Sequence, residues 1–253
     1  MSNSRLITCT NKSPNHSGKR THKIDRITPH CVVGQLDAMT IGSCFPKGRN
    51  ASCNYGIGTK GDVCLIVDES NRSWCSSSPE NDQRAVTIEC ASDLKSPYAM
   101  NSKVYSKLVD LCVDICKRNG KKKLIWIPDK SKALAYKPKK DEMLITVHRW
   151  FADKECPGNW LYERLNKLAS TVTERLNPVS KTLYKVQVGA YTKAKNAADV
   201  VKKLKSKKFE AVIVKVGAYY KVQVGAYSKK ANAEAMLKKL KEAGFKAMIV
   251  SVK

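Results

Sequence analysis

Three side chains in this sequence have the types and spacing to do chemistry together. His148 and Cys156, in TVHRWFADKECPGNW, lie eight residues apart, and His30, in RITPHCVVG, can join them on one metal ion. Two imidazoles and a thiolate make a three-ligand zinc set whose fourth position stays free for water, which is what separates a catalytic zinc from a structural one. The other two histidines, His16 and His22, sit in the polar opening NHSGKRTHK and read as exposed. Spacing alone leaves a second reading open. His148 ends the apolar run Met143–Val147 and suits a hydrogen-bonded histidine at a strand end, and a free cysteine is often just a small buried apolar residue.

The elements that must position these groups read as an α/β domain. Short, β-branched segments near 24–33, 54–59, 63–67, 85–91 and 144–148 predict strands. A helix is predicted over 102–119, capped by Asn101-Ser102 and stopped by Gly120. Its Cys112 and Cys116 fall on the apolar stripe with Leu108 and Ile115 and read as core. A second helix is predicted over 160–176, with Leu161, Leu165, Leu168 and Val172 on one stripe. The segment 177–182, opening Asn177-Pro178, breaks the pattern and reads as a linker between domains at 1–176 and 183–253.

The second domain is an internal repeat. YKVQVGAYTKAKNAADVVKKLKSKKFEAVIVKV begins at Tyr184, and YKVQVGAYSKKANAEAMLKKLKEAGFKAMIVSV at Tyr220, in register 36 residues later. Each copy reads as strand, helix, strand. Two βαβ halves predict a small ferredoxin-like βαββαβ domain, since one half cannot bury its own apolar face. Strand alternation sends Val186 and Val188 toward the helices. It puts Lys185, Gln187 and Tyr191, with their mates Lys221, Gln223 and Tyr227, on the open face.

Five blocks, in order, carry a resemblance over residues 24 to about 176: RITPHCVVG, ASCNYGIGTKGDV, ESNRSWCSSS, RAVTIECA and VHRWFADKECPG. They resemble the zinc-dependent N-acetylmuramoyl-L-alanine amidases of the type-2 family, which includes phage endolysins and is related to the peptidoglycan-recognition proteins. The resemblance implies a mixed central sheet with flanking helices, Zn2+ as cofactor, and His30, His148 and Cys156 as its ligands. It implies Lys154 as the cation facing the developing oxyanion. Glu89 becomes either the group that orients water and takes its proton or the partner of a zinc histidine. Trp74, Asn54 and Tyr55 are placed beside the substrate. The chain departs from many relatives at three points: cysteine replaces aspartate at 156, Cys53 stands where some phage members carry an assisting tyrosine, and Cys75 where several carry histidine. The repeat resembles SPOR domains, which bind peptidoglycan, and implies wall contacts from Gln187, Tyr191, Gln223 and Tyr227.

Composition bounds the partners. The formal net charge is +25, and the last 72 residues carry 17 lysines against 4 acidic residues. Such a field favours polyanions; teichoic acids and peptide carboxylates of a Gram-positive wall fit that demand. No glycine-aromatic string of the RNA-recognition type is present, so a specific nucleic-acid partner is not expected. The ten cysteines form no regular framework and suit folding in a reducing cytosol. The opening segment has no apolar signal-peptide core, and no stretch is long enough to span a membrane. With the resemblance, these features lead to the expectation of an endolysin held in the host cytoplasm and released to the wall at lysis. The alternatives are a noncatalytic peptidoglycan-recognition protein and a bacterial autolysin of the same chemistry.

Overall fold

The computed structural model describes residues 2–178 and 182–252. The chain divides into two compact units, Met1–Pro178 and Val179–Lys253. Part of the expected linker, residues 179–181, lies outside the described residues.

The first unit runs β1 (Cys9–Thr10), β2 (His16–Lys19), β3 (Arg26–Cys31), α1 (Ala38–Ser43), β4 (Tyr55–Ile57), β5 (Val63–Leu65), β6 (Asn71–Ser73), α2 (Pro79–Arg84) and β7 (Ala85–Cys90). It continues with α3 (Ser102–Arg118), β8 (Lys123–Ile125), α4 (Lys130–Ala135), β9 (Glu142–Ile145), a 3-10 turn (His148–Trp150), α5 (Asn159–Tyr162) and α6 (Leu165–Leu176). Seven strands form one mixed sheet in the order β1-β5-β4-β7-β3-β9-β8. The five from β4 to β8 are parallel, and β5 runs antiparallel to β4. Open sheets of this kind bind ligands outside the carboxyl ends of their strands.

Strand β3 lies near the middle of the sheet and is buried along its whole length. The carbonyls of Asp25 and Ile27 accept from Leu144 and Thr146, so the odd-numbered residues of β3 face β9. Pro29 is next in that row and has no N–H to offer. Pairing with β9 accordingly ends at Ile27, whereas pairing with β7 continues to Cys31. The chain after β9 is thus free to leave the sheet beside His30. The strand expected to reach His148 stops at Ile145, and His148 opens the 3-10 turn.

Helix α3 is capped by Asn101, whose side chain accepts from the amides of Lys103 and Val104. Its Leu108, Cys112, Ile115 and Cys116 are fully buried with Leu165, Leu168 and Val172 of α6. The helix expected over 160–176 is interrupted between α5 and α6. The Trp160 carbonyl, which would close the next turn, accepts Arg164 Nη1 at 2.9 Å instead.

The second unit comprises β10 (Leu183–Tyr191), α7 (Ala194–Ser206), β11 (Val212–Val216), β12 (Tyr219–Tyr227), α8 (Lys230–Glu242) and β13 (Met248–Val252). Its sheet is antiparallel, in the ferredoxin-like order β11-β12-β10-β13. The core repeats with the sequence: Val186 and Val222, Val188 and Val224, Ala197 and Ala233, and Leu204 and Leu240 are paired copies, all buried. Lys185, Gln187, Lys221 and Gln223 line a shallow cleft of about 240 Å³ on the sheet with Val214, Val216, Val250 and Val252.

Tyr191 and Tyr227 lie outside that cleft, while Tyr191 lines another of about 500 Å³ with Gln187, Lys246 and Met248. Both pack, half-buried, against the core cluster. Register shifts in the β10–β12 pairing, one extra residue in each strand, disturb the alternation that assigned them outward. Each ring also folds back over the glycine two residues before it. A Cβ at Gly189 would lie 2.5 Å from the Tyr191 hydroxyl, and one at Gly225 would lie 2.6 Å from that of Tyr227, both at positive φ. The Gly-Ala-Tyr of each repeat is thus a local packing unit.

Candidate metal centre

His30, near the carboxyl end of β3, presents its ring at the point where the sheet opens. His148 comes from the 3-10 turn and Cys156 from the loop that follows it, and one ligand atom from each of the three lies within 4.8 Å of the others. Cys156 Sγ is 3.2 Å from His30 Nδ1. Tetrahedral zinc with ordinary Zn–N and Zn–S bonds would separate such donors by about 3.6 Å. The two imidazoles meet edge to face at 5.1 Å between centroids. His30 is 1 % exposed, and its Nε2 has no hydrogen-bond partner among the described residues.

The electrostatics suit a cation. Burial, then the facing His148, holds the His30 imidazole well below its usual value. Burial and Lys154 lower His148 likewise. Both rings are therefore neutral, the form that ligates metal. A hydrogen bond to Cys31, with burial, pushes the Cys156 thiol well above its ordinary value; a bound cation reverses that shift by favouring the thiolate. Two neutral imidazoles and one ionisable thiol are a donor set that zinc accepts.

Glu89 stands directly across from His30 in β7. Its Oε1 is 3.9 Å from His30 Nδ1, and its Oε2 is buried with no partner among the described residues. Burial raises its carboxyl to about 7, opposed by a hydrogen bond from Cys75. Lys154 is exposed, near enough for its charge to act on His148. Trp74 lies with His148 on a cleft of about 510 Å³ that Arg72, Cys75 and Ser77 also line. Its indole donates to Ser17 Oγ at 2.7 Å.

Asn54 and Tyr55 are corrected by the structure, since both are fully buried. The Asn54 amide ties Val67, Asp68 and Asn71 carbonyls to Thr87 and Arg20. The Tyr55 hydroxyl accepts from the Ser4 amide and donates to Glu69. They hold the sheet together beneath the site and do not face a substrate.

Sequence reasoning named Trp74 and Cys75 in the loop between β6 and α2 but passed over Ser77 and Asp82. Ser77, at a positive φ of 61°, hydrogen-bonds His148 Nε2 through Oγ at 2.9 Å. Asp82 fixes that loop, accepting from the Cys75 amide at 3.0 Å and from the Ser76 hydroxyl at 2.7 Å. The signal was Ser78-Pro79-Glu80, a helix-start pattern: Ser78 caps α2, accepting from the Asn81 amide, with Pro79 in its first turn.

Residues 20–159 match the family model described as N-acetylmuramoyl-L-alanine amidase. The chain belongs to this family. The amidase is thus a peptidoglycan hydrolase, and its residues 180–251 match the SPOR domain. Among solved structures, the peptidoglycan-binding domain of the Bacillus subtilis cell wall lytic enzyme CwlC is 36% identical, covering 29% of this chain and 94% of that one, with a TM-score of 0.28. The endolysin N-acetylmuramoyl-L-alanine amidase LysCS from Clostridium intestinale is 13% identical over 64% of this chain and 95% of its own, with a TM-score of 0.41. A mutant endolysin from Bacillus subtilis is 12% identical over 66% and 99%, with a TM-score of 0.46. No curated protein matches the sequence. Among the described residues, no helix is long and apolar enough to cross a membrane.

Proposed function

We propose that this amidase works with a zinc ion held by His30, His148 and Cys156 and cleaves the amide joining the lactyl group of N-acetylmuramic acid to L-alanine. The observation that carries the reading is the meeting of these three donors, His30 and His148 lying 118 positions apart in sequence, with Cys156 Sγ 3.2 Å from His30 Nδ1. Bound there, zinc polarises a carbonyl and lowers the pKa of water to about 7. Glu89, with its spare buried oxygen, takes the proton from the attacking water and returns it to the leaving amine. Lys154 supplies positive charge to the carbonyl oxygen as negative charge develops there. Ser77 holds the His148 ring, and the cleft beside Trp74 takes the substrate.

The second unit holds the enzyme on the wall. Gln187 and Gln223 face each other across β10 and β12, flanked by Lys185 and Lys221, and suit sugar hydroxyls. Tyr191 and Tyr227 contribute by holding the strand ends that frame this face. The lysine excess of this unit suits acidic polymers of a Gram-positive wall, teichoic acid among them. The endolysin reading, with the chain held in the host cytoplasm before lysis, is supported by ten cysteines that are free thiols in the structure. Such usage fits folding in a reducing compartment.

The test is digestion of purified Gram-positive peptidoglycan with and without a zinc chelator, followed by mass spectrometry of the products. Stem peptides beginning at L-alanine beside intact glycan, lost on chelation and in Cys156→Ala, are expected. Undiminished release after chelation and metal analysis showing no zinc would overturn the zinc reading.

A further inference from the structure

A second cleft lies across the 77–79 loop from the one beside Trp74, and the two share Ser77, Ser78 and Pro79 as a common rim. The second, of about 580 Å³, is walled by Leu134, Trp150 and Phe151, with Lys130 at its edge and Arg26 in its lining. Arg26 opens β3 and shares a sheet face with Thr28 and His30, since side chains alternate along a strand. It is 6 % exposed. Its guanidinium makes one hydrogen bond among the described residues, Nη1 donating to Asn81 Oδ1 at 3.0 Å, and its Nε is buried without a partner there. The adjacent Asp25 carboxylate is taken by Arg84, whose Nε donates to it at 2.9 Å. Glu80, the acidic side chain on the cleft, is exposed, where water screens its charge. Asn81 is itself fixed: its Oδ1 also accepts from Thr146 Oγ1 at 3.0 Å, and its Nδ2 donates to Thr28 Oγ1 and to Ser76 Oγ at 3.1 Å each. The guanidinium is thus held in place before any ligand arrives, which lowers the entropy cost of binding. A buried cation with unused N–H groups is costly unless a hydrogen-bonded counter-charge meets it. A carboxylate is the fitting anion, because it accepts two parallel N–H bonds from the guanidinium fork.

We propose that Arg26 is a specificity-determining residue that receives a carboxylate of the stem peptide, with Lys130 beside it and the Trp150 and Phe151 rings as the apolar wall. The inference rests on the reading that the cleft beside Trp74 takes the substrate. The scale agrees. Four positions of β3 separate Arg26 from His30, about 13 Å at the rise of a strand, which roughly three to four extended peptide residues span. The carboxylate is therefore one carried within about the first four residues of the stem.

The test titrates two ligands into the full chain: a stem peptide beginning at L-alanine with its carboxylates free, and the same peptide with each carboxylate converted to a primary amide. The wild type is expected to bind the free-acid peptide about ten- to a hundredfold more tightly, the span that a hydrogen bond to a charged group supplies. Arg26→Gln should bind both peptides alike. Arg26→Lys should keep part of the preference, because the charge remains while the planar fork is lost. Lys130→Glu, at an exposed position that leaves the buried network untouched, should lower the preference by repelling the carboxylate, and it keeps the test decisive if Arg26 variants fail to fold. Equal binding of the two peptides by the wild type, or a preference that survives in both Arg26→Gln and Lys130→Glu, overturns the assignment. So does a preference lost only in Arg72→Gln, whose cation lines the first cleft. Failure of the amide-cleavage reading shows separately, as new reducing ends when whole peptidoglycan is digested.

Discussion

Replacing Leu204 by alanine should strongly destabilise the second unit while leaving the catalytic unit intact. Leu204 is fully buried in a cluster of nine buried side chains, opposite its repeat mate Leu240. Truncating such a leucine costs about 3–5 kcal/mol, from transfer and the cavity left behind. A unit of this size has a total stability of roughly 4–10 kcal/mol, at about 0.05–0.15 kcal/mol per residue. The substitution therefore removes between a third and all of it. The four tryptophans, at 74, 126, 150 and 160, all lie in the first unit, so two probes separate the transitions in a urea titration. Far-UV circular dichroism should lose the contribution of α7, α8 and their sheet at low urea, while the tryptophan fluorescence midpoint stays in place. Sedimentation with purified peptidoglycan should fall sharply, and hydrolysis of a small soluble muropeptide should persist. A fluorescence midpoint that moves with the dichroism would refute the independence argued from the two cores. An unchanged dichroism curve would refute the assignment of Leu204 as core.

Two further outcomes follow from the first unit. Asp82→Ala leaves the buried amides of Cys75 and Ser76 without their acceptor, at about 1–3 kcal/mol for each unsatisfied group. The melting temperature and kcat should both fall, with Asp82→Asn restoring part of each because one acceptor oxygen remains; unchanged kcat in Asp82→Ala would separate the 75–78 loop from catalysis. Glu142 accepts from the Tyr136 hydroxyl at 2.5 Å and the Lys139 amide at 3.0 Å, and these bonds hold its carboxyl below the usual 4.5. Because the folded value lies below the unfolded one, the stability it contributes is present above about pH 4.5 and lost as pH falls through the folded value. Glu142→Gln should thus be less stable than wild type at pH 7 and equal to it in strong acid, as followed by chemical denaturation across pH.

The parts of this protein that were legible in its sequence are those set by local periodicity and by residue type. The repeat at 36 positions, the α3 stripe with its Asn101 cap, and the apolar strands all follow from alternation or helical spacing, which the chain carries wherever it folds. The donor triad was legible for a different reason: histidine is scarce here, with four in 253 residues, so His30 and His148 stood out once Cys156 was seen. Tertiary structure decided the rest. Asn54 and Tyr55 lie in a block that resembles a site, yet their polar atoms are consumed by Glu69, Thr87 and Arg20, partners 14 to 34 positions away that no local pattern exposes. Tyr191 and Tyr227 obey alternation only until the strand register shifts, and the ring then settles over its own glycine. Cys75, Glu89 and His30 reach one point because β7 lies beside β3 and Asp82 bends the loop after β6 toward them. A sequence fixes which side chains can ligate or ionise, but burial and distance decide which of them meet, and both are properties of the packed sheet.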